Sequence, residues 1–276
     1  MNRLNLIPAV TEGLISGFCS DHLNVYLYSS RQQIGAAVAA AVSDEMRRLI
    51  KEQGRAAGIF SSAPSQSEFL NELVNSPDVS WTRVIGFHLD EFLGINEAAP
   101  QSSRRFLTDR LVMKVPMVEF HGLRGEAANP AAVCANYASL LESRRPDFAV
   151  LSIGENGRLG LIGSTACDLN DPVPVRVIEL DEDCRRRQIQ EGTFTVIDEV
   201  PLRAISMTIP TIMKCPALFI IGAGARDREA VVEILEGEIG TSHPASILRT
   251  HPNAHLFLDR EAAASIAERA GERRET

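Results

Sequence analysis

Short apolar runs alternate with longer stretches of helical character along most of this chain, and that alternation constrains its fold more than any other feature. The runs are Val25–Ser29, Ala57–Ser61, Arg83–Leu89, Phe148–Ile153, Arg176–Leu180, Ala204–Ile209, Ala217–Ile221 and Ala254–Leu258. Several are apolar at odd and even positions alike. A strand with that pattern is covered on both faces, which is the signature of a mainly parallel central sheet. Between the runs, helices are expected at about Gln32–Lys51, Ser67–Val74, Ser102–Leu111, Pro130–Glu142 and Asp227–Leu235. Asn129 before Pro130 reads as an N-cap followed by a first-turn proline, and Gly237 reads as a helix stop. The expectation is an α/β, Rossmann-like fold with a mainly parallel central sheet flanked by helices. Its crossovers should be right-handed and its ligand site should lie at the carboxyl ends of the strands. The loops to inspect follow Phe60, Leu89, Ile153 and Ile221.

A chain of 276 residues, 45% hydrophobic and 23% charged, is long enough to bury its own core as a single domain over 1–276. The charged stretch Glu268–Thr276 is expected to fray. A net charge of -8 argues against a nucleic-acid partner, which needs a basic face, but leaves room for a small anion held by a few local groups. The five cysteines are far apart and form no CxxC, so neither a metal site nor a disulfide framework is expected. The opening MNRLNLIPAV lacks an apolar stretch of signal length, and no run approaches the ~20 apolar residues of a membrane helix. A cytoplasmic protein without a membrane partner is the resulting expectation.

Five segments have residue types suited to chemistry. Ser61-Ser-Ala-Pro-Ser-Gln-Ser67, between a strand and a helix, can offer hydroxyls and amides to a phosphate, or can be an ordinary turn with a serine cap. Asp90-Glu91, at the end of an apolar strand, suits a partly desolvated general base, or a capping Asp beside a solvated Glu. His88, within that strand, reads as packed. Gly154-Glu-Asn-Gly-Arg158 and the glycines that follow allow close backbone approach to a ligand. The run Arg185-Arg-Arg187 is a solvated helix face from which one member can serve as an anion clamp. Arg249 and His251, near Pro252, either face the same crevice or are structural.

Together these segments resemble the glucosamine-6-phosphate deaminase/isomerase family, grouped with the 6-phosphogluconolactonases, from roughly Ala57 to Asp259. Phe87-His-Leu-Asp-Glu-Phe-Leu-Gly94 is similar to the family's MDEY(V/L)G segment, and Gly154-Glu-Asn-Gly157 stands in the place of its GxGxDGH loop. Ser62–Gln66 and Pro244–Pro252 resemble one branch of the family. The resemblance implies conversion of an amino-sugar 6-phosphate to a keto-sugar phosphate and ammonia, with no metal and no organic cofactor. It implies Asp90 as the base at C2, with Glu91 in support and Asn156 in the catalytic loop. Ser62, Ala63, Ser65, Gln66, Gly154, Arg158 and Arg185 would bind substrate or phosphate. Relatives often assemble, so a homo-oligomer is among the expectations.

The chain also departs from the family. Asn156 and Arg158 stand where the family has the Asp and the ring-opening His. Gly160-Leu-Ile-Gly-Ser164 replaces A-F-N-(E/D)-P, so the carboxylate that orients the His is gone as well. Arginine stays protonated at any usable pH and cannot cycle as acid and base. A lysine expected before the last long helix aligns with Asp227, where Arg226 and Arg228 are the flanking candidates to compensate. The surviving base and phosphate turn favour an enzyme. The joint loss of His and carboxylate favours a sugar-phosphate binder, whether a regulator or an inactive subunit. A lactonase is disfavoured because it leans on the same His. An enzyme of changed substrate would use Arg158 on a second anionic group.

Overall fold

The structure is a computed structural model that describes residues 11–266. The stretch 268–276, expected to fray, lies outside the described residues. In chain order the strands are β1 (Leu14–Ser20), β2 (Leu23–Tyr28), β3 (Ala56–Phe60), β4 (Val84–His88), β5 (Asp90–Phe92), β6 (Glu119–His121), β7 (Phe148–Ser152), β8 (Val175–Glu179), β9 (Arg203–Met207), β10 (Ala217–Gly222) and β11 (Ala254–Leu258). The helices are α1 (Arg31–Gln53), α2 (Ser67–Val74), α3 (Ser103–Leu107), α4 (Pro130–Arg144), α5 (Glu182–Gln190), α6 (Ile209–Ile212) and α7 (Arg228–Glu236).

Eight strands form the main sheet in the order β1-β2-β11-β10-β7-β3-β4-β6. Its pairings are parallel apart from the antiparallel β1–β2 edge. The double-faced apolar pattern has the expected cause. In β7, Phe148 and Val150 pack with Ile34 and Val38 of α1 and Phe69 of α2. Ala149 and Leu151 pack on the other side with Tyr137 of α4 and Val231 of α7. Each fully buried side chain of Leu, Ile or Phe size contributes roughly 1.5–3 kcal/mol relative to exposure, so both layers hold the sheet.

Local signals fix the helix ends. Ser30 caps α1 by accepting from Gln33 N, and Gly54, at φ 82, closes it with an N–H to Ile50 O. Asn129 caps α4 by accepting from Ala132 N, with Pro130 in the first turn. The helix expected over Ser102–Leu111 is α3 continued by a wide π turn, Thr108–Val112.

Two of the apolar runs do not join the main sheet. β8 and β9 pair antiparallel with β5 in a second, three-stranded sheet of order β5-β9-β8. The reason is visible in β8, where Arg176 and Glu179 are exposed while Val175 and Ile178 are buried. One wet face is the mark of an antiparallel strand. Leu89 joins the sheets: its N–H donates to Phe60 O in the main sheet, and its carbonyl accepts from Met207 N in the second. Asp90 therefore emerges at the seam, above the carboxyl ends of β3 and β4.

Arg249 and His251 are structural. Arg249 donates to the carbonyls of Leu235 and Gly237, and His251 Nε2 lies 2.9 Å from Cys215 O, before β10 begins. All five cysteines are free. Among the described residues no helix is long and apolar enough to cross a membrane.

Candidate active site

A cavity of about 450 Å3 opens at the carboxyl ends of β3, β4 and β7. Six of the expected residues meet there: Ser62, Ala63, Ser65, Asp90, Gly154 and Arg158. The other four, Glu91, Asn156, Gln66 and Arg185, do not line it.

Asp90 is only 3% exposed. One oxygen accepts a 2.8 Å hydrogen bond from Leu161 N. Its carboxyl is pushed up from the ordinary 3.8 to about 7, chiefly by burial and further by the charge of Glu91; the Leu161 bond and Arg158 pull the other way. A carboxyl poised near neutrality results. Gly160 makes the geometry possible. It sits at φ +56, and a Cβ there would lie 2.4 Å from Asp90 Oδ2.

Glu91 supports Asp90 differently from the expectation. It turns away from the cavity and accepts four hydrogen bonds: Phe92 N and Ser103 N at 3.0 Å on one oxygen, Ser102 Oγ and Arg104 N at 2.8 Å on the other. Burial raises its carboxyl above the ordinary value while these donors oppose the shift. Glu91 thus ties β5 to the start of α3, which walls the cavity with Ser102 and Ser103. His88 is fully buried, and burial, reinforced by the charge of Arg104, drives its ring down to about 3. It is a neutral packed residue.

The serine turn lies on the opposite wall. Ser61 and Ser62 hold buried hydroxyls without a partner among the described residues. Ser65 Oγ sits 2.8 Å from Ser152 Oγ, and Gln66 Nε2 donates to the same oxygen at 2.6 Å. Gln66 therefore braces the turn from beneath. The first amides of α2 follow directly, and a helix start favours an anion.

The glycine-bearing loop curls back on itself, with Gly154 N donating to Arg158 O. This brings Arg158 inward, 7% exposed, across Gly154, where a Cβ would lie 2.6 Å from its Nε. Asn156 goes the other way. It is exposed at φ 60, and its amide donates to Asp183 at 3.3 Å.

Arg185, chosen from the arginine run, donates instead to the carbonyls of Val200 (3.2 Å) and Ile197 (2.6 Å). Arg187 is the member that lines the cavity. The structure sets the inward face of α5 by Cys184 and Gln188, four apart and buried, and Arg187 lies between them on that face; the apolar residues of the helix, Cys184 and Ile189, do not mark it in the sequence. Arg187 pairs with Glu191 and, at 3.1 Å, with Asp227. Asp227 occupies the place of the expected lysine, so the cation facing the cavity there is supplied across the ion pair by Arg187 rather than by Arg226 or Arg228.

The fold and the site define an α/β protein with a cavity at the carboxyl ends of its strands, lined by the raised carboxyl of Asp90 and several anion-seeking groups. A family described as glucosamine-6-phosphate isomerases/6-phosphogluconolactonase matches residues 29–159. The chain is 35% identical over 188 residues to a glucosamine-6-phosphate deaminase of Exiguobacterium sp., covering 68% of this chain and 72% of that one. It is 30% identical over 228 residues to one from Lactococcus lactis subsp. cremoris, covering 81% and 92%. It is also similar to the solved structure of a monomeric glucosamine-6-phosphate deaminase, with a TM-score of 0.79 and 25% identity over 87% of this chain and 98% of that one. The fold is shared with a 6-phosphogluconolactonase from Trypanosoma brucei at a TM-score of 0.72 and 16% identity, over 91% and 99%. The chain belongs to the glucosamine-6-phosphate isomerase/6-phosphogluconolactonase family, on its deaminase side.

Proposed function

We propose that this protein binds the open-chain form of a phosphorylated amino sugar and moves a proton between its C2 and C1, with Asp90 as the base. The C2 proton returns at C1, and water replaces the nitrogen at C2, giving a keto-sugar phosphate and ammonia. The observation that carries the reading is Asp90 itself: buried, with one oxygen fixed by Leu161, and held near neutrality at the cavity wall. The unpartnered hydroxyls of Ser61 and Ser62, the start of α2 and Arg187 support a phosphate seat. Glu91 acts as a positioning residue, through its grip on α3.

A second reading is a sugar-phosphate binder without turnover, and Arg158 favours it. Ring opening needs a group that gives and takes a proton, and general acid–base assistance is worth on the order of 10²–10⁴ in rate. A guanidinium supplies none of that. Ammonia release from glucosamine 6-phosphate, measured alongside thermal shift on wild type and Asp90→Asn, separates the two. Ammonia that falls at least a hundredfold in Asp90→Asn is the result expected of the enzyme. Stabilisation by the sugar phosphate with no ammonia from either protein leaves the binder standing and removes the enzyme.

A further inference from the structure

Three arginines are buried among the described residues: Arg104, Arg158 and Arg249. Two are engaged through their terminal nitrogens, with the Nε of each left unpartnered among the described residues. Arg104 meets Glu126 at 3.0 Å and Glu97 at 3.2 Å. Arg249 donates to the carbonyls of Leu235 and Gly237 and faces Asp21 at 3.6 Å. Arg158 is the exception. Its guanidinium makes no hydrogen bond and no ion pair with any of the described residues, although it lies at the wall of the cavity. A buried cation without a partner is costly, and a guanidinium in particular offers a planar fork that matches a carboxylate.

The neighbours of Arg158 do not remove the need. It feels the charge of Asp90 and lies close enough to Cys184 of α5 to favour the thiolate there. The Cys184 thiol is nonetheless pushed up to about 11 by burial, so it stays neutral. Asp90 keeps a carboxyl near 7 in spite of Arg158, so at neutral pH it holds only part of a countercharge. Nor is the side chain there by default. Gly154 gives it the room to lie inward, since any Cβ at that position would collide with its Nε.

We infer that Arg158 is a second anion seat, and that the preferred ligand is a doubly anionic sugar phosphate carrying a carboxylate at the end opposite its phosphate. The inference rests on the sugar-phosphate-binder reading above and narrows its ligand class; a ligand with a carboxylate at C1 has no aldehyde carbon to take up the C2 proton, so it is held without the amino-sugar turnover. The serine turn, with Ser65 tied to Ser152, receives the phosphate. Arg158, beside Asp90, receives the carboxylate, which lies next to the carbon whose proton Asp90 reaches. The guanidinium that removes acid–base chemistry from this position then serves as a selectivity device.

The test compares two ligands that differ only at that end: D-gluconate 6-phosphate and D-glucitol 6-phosphate, in which the carboxylate becomes a hydroxymethyl group. Calorimetry on the full chain at constant ionic strength should show gluconate 6-phosphate binding at least tenfold more tightly. Arg158→Gln should erase that preference and leave glucitol 6-phosphate affinity within about threefold of wild type. Arg158→Lys, which keeps the charge but loses the fork, should retain part of the preference. Equal affinity for the two ligands in wild type overturns the inference, whatever the variants do, while binding of both leaves the sugar-phosphate reading in place. A preference that survives Arg158→Gln, or an equal loss for both ligands, also overturns it, the latter by assigning Arg158 to the phosphate. Binding of neither ligand removes both the inference and the reading beneath it.

Discussion

Two walls of one cavity have diverged in different ways. On the wall built from β4, β5 and the start of α3, the Asp90-Glu91 pair is present, and both oxygens of Glu91 are matched by four donors. On the wall built from the loop after β7, Asn156, Arg158 and Gly163 stand where the resemblance places titratable groups. Asn156 has left the cavity altogether. The space beside Gly163 is taken by Asp181, whose Oδ2 would lie 3.0 Å from a Cβ there and which caps α5. The first wall is over-determined by backbone hydrogen bonds that any fold with this corner must satisfy. The second carries side chains with few partners in the fold, Arg158 unpaired among the described residues and Asn156 in one exposed contact, so it can change at little cost to the fold.

The first wall should therefore be the fragile one. Glu91→Ala removes one carboxylate and strands four donors, of which Ser103 N and Arg104 N begin α3. Unsatisfied buried donors cost about 1–3 kcal/mol each. Partial relaxation still leaves a loss of about 3 kcal/mol, a fall in Tm of roughly 6–12 °C for a chain of this size. A matching Asn156→Gly change, on the second wall, should leave Tm within about 1 °C, because it breaks one exposed 3.3 Å contact and glycine accepts the φ 60 backbone. Calorimetry on the two variants decides; similar losses would break the comparison.

Asp90 gives the first wall a pH signature. Its carboxyl is raised from 3.8 to about 7 in the folded chain, so the folded state holds a proton that the unfolded state releases. The stability from that proton is fully present below about pH 4 and is lost as the pH rises through about 7. Asp227, raised to about 6 by burial, acts in the same direction. Asp90→Asn should flatten the decline in Tm between pH 4 and 7 and leave the variant more stable than wild type at pH 8. Catalysis runs the opposite way: kcat/KM for proton abstraction should rise through about pH 7 as the base ionises. A Tm profile unchanged by Asp90→Asn would mean that Asp90 is not the buried acid described here.

The two walls were also legible to different degrees. The strands of the main sheet are readable because burial on both faces writes a continuous apolar run. Asp90 is readable because it ends such a run. β5, at three residues, and β6, half-buried throughout, carry too short or too weak a pattern to register. The role of Glu91 depends on donors up to thirteen residues away, which no local pattern announces. Arg187 is not distinguished from Arg185 in the sequence, because the inward face of α5 is marked by a buried glutamine, Gln188, rather than by a second apolar residue. The turn at Asn156-Gly157, with φ 60 and 68, is announced by the Asn-Gly pair, but that pair carries no signal for the outward direction of the Asn156 side chain.

Gly160 joins the two walls and tests whether they are coupled. Gly160→Ala places a Cβ 2.4 Å from Asp90 Oδ2 in a backbone conformation of φ +56. The left-handed conformation alone costs about 1–2 kcal/mol for a residue with a Cβ. Stability should fall by at least that much. Asp90 must also shift, so turnover or ligand-induced stabilisation should fall with it. A stable variant with unchanged ligand response would show that the loop can move independently of Asp90.

The smallest effect should come from the phosphate end, where a charge has changed sides. Arg187→Gln removes one of the cations that line the cavity and leaves Asp227 buried beside Glu191 without its counter-ion, so affinity for glucitol 6-phosphate should drop about tenfold. Adding Asp227→Lys to Arg187→Gln returns a cation from the α7 side and removes the stranded carboxylate. The double variant should recover most of the lost affinity, whereas Asp227→Lys alone sets two cations against each other and should destabilise the chain. A double-mutant cycle in binding and in Tm reads both terms. Full recovery identifies one cationic seat that can be occupied from either helix. No recovery, with Tm restored, would mean that Arg187 is held by Asp227 and Glu191 for structure alone, and that the phosphate relies on the serine turn and the amides of α2.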